Sequence, residues 1–158
     1  MKLKDLPALI GFVILAEAAG AVGSFFTASS VGDWYVLLEK PLLNPPSWVF
    51  GPVWTTLYAL MGIAAFLVWK AGGKPKARRA AFTAFGVQLA LNSIWSALFF
   101  GAKNPGLAFA EIILLWAAIL WTMTAFNRLS RAASALLAPY LAWVSFAAYL
   151  NFMLWILN

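Results

Sequence analysis

The residues most able to do chemistry lie within long apolar stretches of the sequence. Gln88, Asn92, Trp95 and Ser96 occur at i, i+4, i+7 and i+8, which places them on one face of a helix. Amide groups in an apolar segment need hydrogen-bond partners, a cavity or a helix interface. A face that carries two amides and an indole is therefore predicted to look toward the interior of a helix bundle.

Two other apolar segments carry similar faces. In one of them the same spacing recurs in Trp143, Ala147, Leu150 and Asn151, where an aromatic and an amide residue flank a small and an aliphatic one. The other has Trp54 and Tyr58 four residues apart. A cavity lined by indoles, phenols, small residues and amides suits a flat, largely apolar ligand with a few hydrogen-bond acceptors. The alternative is that the amides join helices and the indoles belong to interfacial belts, and spacing alone leaves both open for Trp54, Trp95 and Trp143.

The sequence has few residues suited to conventional acid–base or nucleophilic catalysis. The sequence has no Cys and no His, which removes thiolate chemistry, imidazole bases and the commonest ligands of zinc and haem iron. It contains no phosphate-binding glycine loop, serine nucleophile elbow or paired carboxylates. We therefore expect no metal site, no required cofactor and no conventional acid–base or nucleophilic mechanism.

The elements that position these residues belong in a membrane. Of the 158 residues, 64% are hydrophobic and 10% are charged, whereas a soluble domain has roughly 45–50% apolar and about 25% charged residues. The net charge of +6 arises from basic residues that lie between apolar runs. This distribution is typical of membrane topology signals and argues against nucleic-acid binding.

Five apolar runs predict an all-α polytopic membrane protein, a five-helix transmembrane bundle formed by a single domain, 1–158. Each run is close to the ~20 residues that cross a bilayer, and Pro and Gly residues punctuate the gaps between them. The predicted spans are 6–28, 48–69, 80–101, 106–126 and 135–157. The connection 29–47 is long enough to cover one end of the bundle.

The distribution of Lys and Arg predicts the orientation of the spans, because basic residues accumulate on the cytoplasmic side. Lys40 and Lys103 are assigned to one side of the membrane. The other side carries Lys2, Lys4, Lys70, Lys74, Lys76, Arg78, Arg79, Arg128 and Arg131. In a bacterial-type cell membrane the N-terminus is then cytoplasmic, and the C-terminus and the connection 29–47 lie outside.

Two carboxylates and one stripe of small residues remain. Glu17 lies midway along the first span, where a packing role is favoured over a polar pathway. Glu111 is close enough to the end of its helix that it could reach the membrane interface, and it is interpreted as a structural residue. The third span has small residues four apart, Ala80 with Ala84 and Gly86 with Ala90. Such a stripe suits close helix contact, either in a homodimer interface or within one bundle.

Three ordered blocks of sequence resemble the TspO/translocator protein family, also called the TspO/MBR or peripheral benzodiazepine receptor family. The first comprises Trp34-Tyr35, Lys40-Pro41, Pro45-Pro46, Trp48-Val49 and then Gly51-Pro52-Val53-Trp54 with Leu57-Tyr58. The others are Gln88-Leu89-Ala90-Leu91-Asn92 with Trp95, closing in Phe99-Phe100-Gly101, and Pro139-Tyr140-Leu141-Ala142-Trp143 with Phe146-Ala147 and Leu150-Asn151. These blocks span nearly the whole chain.

The resemblance implies a five-helix bundle, commonly dimeric, whose outer-side pocket binds porphyrins, sterols and benzodiazepine-type ligands. A tetrapyrrole such as protoporphyrin IX or haem would be a ligand of the protein. The family's pocket positions match Tyr35, Pro45, Trp54, Gln88, Asn92, Trp95, Trp143, Ala147 and Leu150. Tyr58 and Asn151 join them because they lie on the same predicted faces.

Further expectations follow from the resemblance. Some bacterial members promote light-dependent breakdown of protoporphyrin IX, a role associated with tryptophans that match Trp54 and Trp143, so a photo-oxidative enzyme is an alternative function. The family's sterol pattern requires an aromatic residue followed four positions later by a basic one, whereas this chain has Phe152 and Ile156. Leu107 also replaces a tryptophan of the vertebrate members. Sterol or lipid binding, or a structural dimer, is a further alternative.

Overall fold

The fold is built from α-helices in a computed structural model that describes residues 3–158. Lys2, one of the basic residues used to predict the orientation, lies outside these residues. The helices are α1 (Leu6–Ala28), α2 (Trp34–Leu37), α3 (Ser47–Ala71), α4 (Pro75–Ser96), α5 (Pro105–Asn127), α6 (Arg131–Leu136) and α7 (Ala138–Leu157). A single π-helical turn, Ala97–Gly101, continues α4.

Five helical segments within residues 3–158 are long and apolar enough to cross a membrane, which confirms the predicted polytopic helical bundle. The first predicted span has the bounds of α1, and the second and fourth differ from α3 and α5 by one or two residues at an end. The third starts earlier, at Pro75, and the fifth includes α6 and starts at Arg131. Hydropathy misses these two starts because their first turns are basic and extend beyond the apolar run.

Prolines and polar caps explain where the helices begin. Pro75 and Pro105 occupy first-turn positions, where the missing N–H costs nothing. The Asn104 side chain accepts a hydrogen bond from the Leu107 N–H at 3.0 Å at the start of α5. Between α3 and α4 the chain reverses through Gly72 and Gly73 at φ 70° and 95°, which only glycine adopts readily.

Close packing of α1 against α3 and α4 holds one half of the bundle together, and α5 packs against α4 and α7 in the other half. At Gly62 on α3, an added Cβ would lie 2.5 Å from the Cα of Val13 on α1, so only glycine permits this approach. The Lys70 Nζ also donates to the Asp5 carboxylate at 2.8 Å. The start of α1 and the end of α3, at the end of the bundle away from the connection 29–47, are therefore tied together.

The connection 29–47 covers the opposite end, which we call the capped end. The Ser30 hydroxyl donates to the Phe100 carbonyl at 2.8 Å, and Tyr35 packs with Phe99 and Leu154 in a small apolar cluster. The Asn158 side chain pairs with the backbone of Glu39, accepting from its N–H at 3.0 Å and donating to its carbonyl at 3.1 Å. Contacts to α4 and α7 thus fix the connection over the bundle.

Candidate ligand-binding cavity

A cavity of about 810 Å³ lies under the capped end, between α1, α3, α4 and α7. Its volume falls within the range of roughly 300–1,000 Å³ that is typical of small-molecule sites. Ala21 and Ser24 on α1, and Gly51 and Thr55 on α3, line the cavity and are also exposed. The cavity is therefore open along its α1–α3 side.

Most of the predicted ligand-binding residues converge on this cavity. Those that line it are Tyr35, Trp54, Tyr58, Asn92, Trp95, Trp143, Ala147, Leu150 and Asn151. Pro45 does not: it lies in the capping connection, and its carbonyl accepts a hydrogen bond from the Asn44 side chain at 3.1 Å. Gln88 is buried one helical turn below the lining. The two residues support the cavity rather than face it.

A chain of buried hydrogen bonds forms the polar floor of the cavity. The Tyr58 hydroxyl donates to the Asn92 amide oxygen, and the Asn92 amide nitrogen donates to the Tyr140 hydroxyl at 2.8 Å. Tyr140 in turn donates to the Gln88 amide oxygen at 3.0 Å, and the Gln88 nitrogen lies 3.7 Å from the Met61 sulfur. Because both ends of the Asn92 amide are engaged, its orientation is fixed. The amides join helices, and Asn92 also faces the cavity.

The wall formed by α4 and α7 is fixed by a second pair of hydrogen bonds. The Trp95 indole N–H donates to the Asn151 oxygen at 2.9 Å, and the Asn151 nitrogen donates to the Pro105 carbonyl at 2.7 Å. The Trp95 ring stacks on Phe99, with ring centroids 5.1 Å apart. Three helices therefore hold the Trp95 ring in one position.

The two tryptophans considered for photochemistry line the same cavity. The Trp54 ring contacts the rings of Tyr58 at 5.6 Å and Tyr140 at 6.3 Å between centroids. Trp143 meets Phe50 edge-to-face at 5.9 Å. Its indole N–H is buried and has no acceptor among residues 3–158.

Tyr35 closes the cavity from the capping connection. Its hydroxyl donates to the Asn44 side-chain oxygen at 3.0 Å, and Lys40 Nζ lies 4.9 Å from the centroid of its ring. Burial raises the pKa of Tyr35 above its ordinary value, and the hydrogen bond to Asn44 offsets part of the rise. The Tyr35 hydroxyl therefore remains a neutral donor at physiological pH.

Several lining residues were not predicted from the sequence, among them Glu17, Gly20 and the aromatic residues Phe50, Phe99 and Phe100. The sequence favours a packing role for Glu17, but its half-buried side chain lines the cavity. Gly20 lines it as well, and an added Cβ there would lie 2.4 Å from the Tyr58 ring. Only the spacing of Glu17 and Gly20 on one face of α1 signalled their position.

Glu111, interpreted from the sequence as a structural residue, lies inside the bundle and not at the membrane interface that its position would allow it to reach. It is 7% exposed, and neither carboxyl oxygen has a hydrogen-bond partner among residues 3–158. Its helix α5 packs against both α4 and α7, which encloses this face. The side chain therefore stays inside the bundle and does not reach the interface.

The small-residue stripe of α4 divides between two environments. Ala84 is fully buried within the bundle, so the prediction that it forms part of a dimer interface is wrong. Ala80, Gly86 and Ala90 are exposed, and the last two line a shallow groove between α1 and α4. Ala84 is buried, unlike the other three residues, because its position on α4 faces the interior of the bundle.

The fold and the cavity define a polytopic helical membrane protein with an aromatic site of ligand size inside its helix bundle. The family model described as the TspO/MBR family matches residues 12–156. The chain is 45% identical over 150 residues to "Tryptophan-rich protein TspO" of Archaeoglobus fulgidus, covering 95% of this chain and 96% of the relative. It is 47% identical over 144 residues to the protein of that name in Chlorobaculum tepidum, covering 91% of each.

A vertebrate protein is similar over the same length. The chain is 40% identical over 151 residues to the "Translocator protein" of Homo sapiens, covering 95% of this chain and 89% of the relative. The family match, residues 12–156, includes at least part of each of the five spans and every residue that lines the cavity. The chain belongs to the TspO/MBR family.

The floor network generates a prediction about stability. Tyr140→Phe removes the hydroxyl that connects Asn92 with Gln88 and leaves two buried amide groups short of a partner. We expect a loss of about 1–3 kcal/mol in the free energy of unfolding, measured as a lower thermal midpoint in detergent.

Tyr149→Phe is the matched control, because Tyr149 is 41% exposed on the same helix. We expect the control to unfold like the native protein. Equal thermal midpoints for the two variants would contradict the role given to the network.

Proposed function

We propose that this protein is a membrane receptor or carrier that binds porphyrins, such as protoporphyrin IX, and other flat hydrophobic ligands, including benzodiazepine-type compounds, and so acts in tetrapyrrole handling. The observation that carries the proposal is the cavity of about 810 Å³ in which Trp54, Trp95 and Trp143 line one space. Indole faces stack on flat conjugated rings, and the enclosed apolar space removes such a ring from water. The tetrapyrrole is a ligand here and not a required cofactor.

The rigidity of the lining supports selective binding. Asn92 and Trp95 are each held by hydrogen bonds before any ligand arrives. A preformed site spends less free energy on ordering its side chains when the ligand binds.

The membrane arrangement extends the proposal. With nine basic residues assigned to one side and two to the other, the capped end and its cavity face outward and the N-terminus is cytoplasmic. A ligand then enters from the outer half of the membrane or from outside. A homodimer would use the exposed Gly86 and Ala90 on α4.

Porphyrin binding is tested by titration in the dark. Adding protoporphyrin IX to the purified protein should quench tryptophan emission to saturation, because the ring lies against the cavity indoles. Trp143→Phe should weaken binding by roughly two- to fivefold, since the smaller phenyl face keeps part of a stacking contact whose complete loss costs about 1–3 kcal/mol.

Trp121→Phe is the matched control, because Trp121 is 46% exposed and lies outside the cavity lining. Its affinity for the porphyrin should equal that of the native protein. Quenching that rises without saturation would refute the proposal.

Light-dependent degradation of porphyrin is a second candidate function, favoured because Trp54 and Trp143 line one cavity and are oxidisable without a metal, His or Cys. Illumination in air should convert bound protoporphyrin IX to a discrete product in the native protein. The rate of bleaching, followed by absorbance, should fall at least tenfold in the Trp54→Phe/Trp143→Phe variant when equal amounts of porphyrin are bound. Equal bleaching rates at equal occupancy would exclude a role for the two indoles.

A further inference from the structure

We propose that Glu17 determines which flat ligands the cavity accepts: its carboxyl group, on the cavity floor, selects rings that carry an ammonium group or another N–H donor on the edge that enters first. The inference rests on the proposed function, since it names the ligand class of the same cavity. It assigns a specificity-determining role to a residue of α1.

The floor is defined by the deepest lining residue of each helix. These residues are Glu17 on α1, Tyr58 on α3, Asn92 on α4 and Trp143 on α7. Along α1 the lining continues ten residues toward the capped end, to Thr27, which at 1.5 Å per residue is about 15 Å. A ligand that fills the cavity therefore brings one edge to Glu17 and leaves the other at the cap.

Among residues 3–158, Glu17 is the one acidic or basic residue that lines the cavity, since no Lys, Arg or second carboxyl group is among the lining residues. Within residues 3–158, Glu17 makes no ion pair, because the salt bridge joins Lys70 to Asp5, and no hydrogen bond involves its carboxyl group. The floor thus presents an acceptor that the protein leaves unsatisfied.

The neighbouring polar groups already have partners. The Tyr58 hydroxyl donates to Asn92, and the Asn92 nitrogen donates to Tyr140. A carboxyl at this depth of a spanning helix is costly without a partner. A ligand ammonium or N–H group on the entering edge supplies that partner, and a charged hydrogen bond in a largely apolar cavity is stronger than a neutral one.

The basic residue nearest the opposite end is Lys40, which lies outside the cavity lining. Lys40 Nζ lies against the ring of Tyr35, which lines the cavity under the cap, and donates to the carbonyls of Val36 and Leu38 at 3.3 and 3.2 Å. A ligand with an acidic edge is expected to keep that edge at the capped end, because at the floor it would meet the carboxyl group of Glu17. Its donor-bearing or apolar edge then faces Glu17.

Glu111 shows how a carboxyl without such a role is placed. It is also in a spanning helix, but it is 7% exposed and does not line the cavity. Glu17 is only half-buried and faces the open space. Its position gives a ligand direct access to the carboxyl group, which packing inside the bundle denies to Glu111.

The test compares two derivatives of one porphyrin in a neutral detergent. The probes are the dimethyl ester of protoporphyrin IX, which is uncharged, and its diamide with ethylenediamine, which carries two ammonium groups. Both have the same ring, so stacking on the indoles is common to them. The readout is the ratio of their dissociation constants, measured in the dark by tryptophan quenching.

We expect the native protein to bind the diamide at least tenfold more tightly than the ester, the lower end of the range for a hydrogen bond to a charged group. In Glu17→Gln, which preserves shape but removes the charge, the ratio should fall to within about twofold of one. Glu39→Gln is the control, because Glu39 is exposed on the capping connection and does not line the cavity. It should keep the native ratio.

Equal affinities of the native protein for the two probes would overturn the inference without any variant, and so would an unchanged ratio in Glu17→Gln. Both results leave porphyrin binding itself intact. If the native protein bound neither probe nor protoporphyrin IX, the proposed function would fail instead. The native comparison decides the question even if Glu17→Gln does not fold.

Discussion

The absence of water inside a lipid-embedded bundle is the constraint on which this structure depends. Every polar group placed there needs a partner within the protein, and the chain from Tyr58 through Asn92 and Tyr140 to Gln88 meets that requirement with residues from α3, α4 and α7. Because each of these hydrogen bonds joins two particular side chains on different helices, the network fixes the relative depth of three helices. The same network forms the floor on which the cavity stands.

The cavity above this floor exists because large aromatic side chains alternate with positions that fill little space. Gly20 allows α1 to approach the Tyr58 ring, and Ala147 leaves room on α7 between Trp143 and Asn151. The hydrogen bond from Trp95 to Asn151 then prevents the indole from collapsing into that room. Packing elsewhere is closer, as at Gly62 against Val13, so the open volume is confined to the capped end.

Hydropathy predicts the five spans, and spacing together with the family resemblance predicts nine of the 25 residues that line the cavity. Neither hydropathy nor spacing predicts whether a residue lines the cavity when that depends on its depth along a helix or on the path of a loop. Gln88 and Asn92 share one face, yet one turn, about 6 Å, separates a residue below the floor from one that lines it. Whether Pro45 faces the cavity depends on the path of the capping connection, and whether Glu17 does depends on how α1 packs beside α3. Neither is encoded in a local pattern, so tertiary packing determines both.

The most direct test of the central claim, that the cavity under the capped end is the ligand site, is an experimental structure of the protein with a bound porphyrin. We expect the porphyrin ring to lie between Trp54 and Trp143, above the Tyr58–Asn92 pair and beneath Tyr35. A ring bound instead in the shallow groove between α1 and α4, beside Gly86, with the cavity unoccupied, would contradict it.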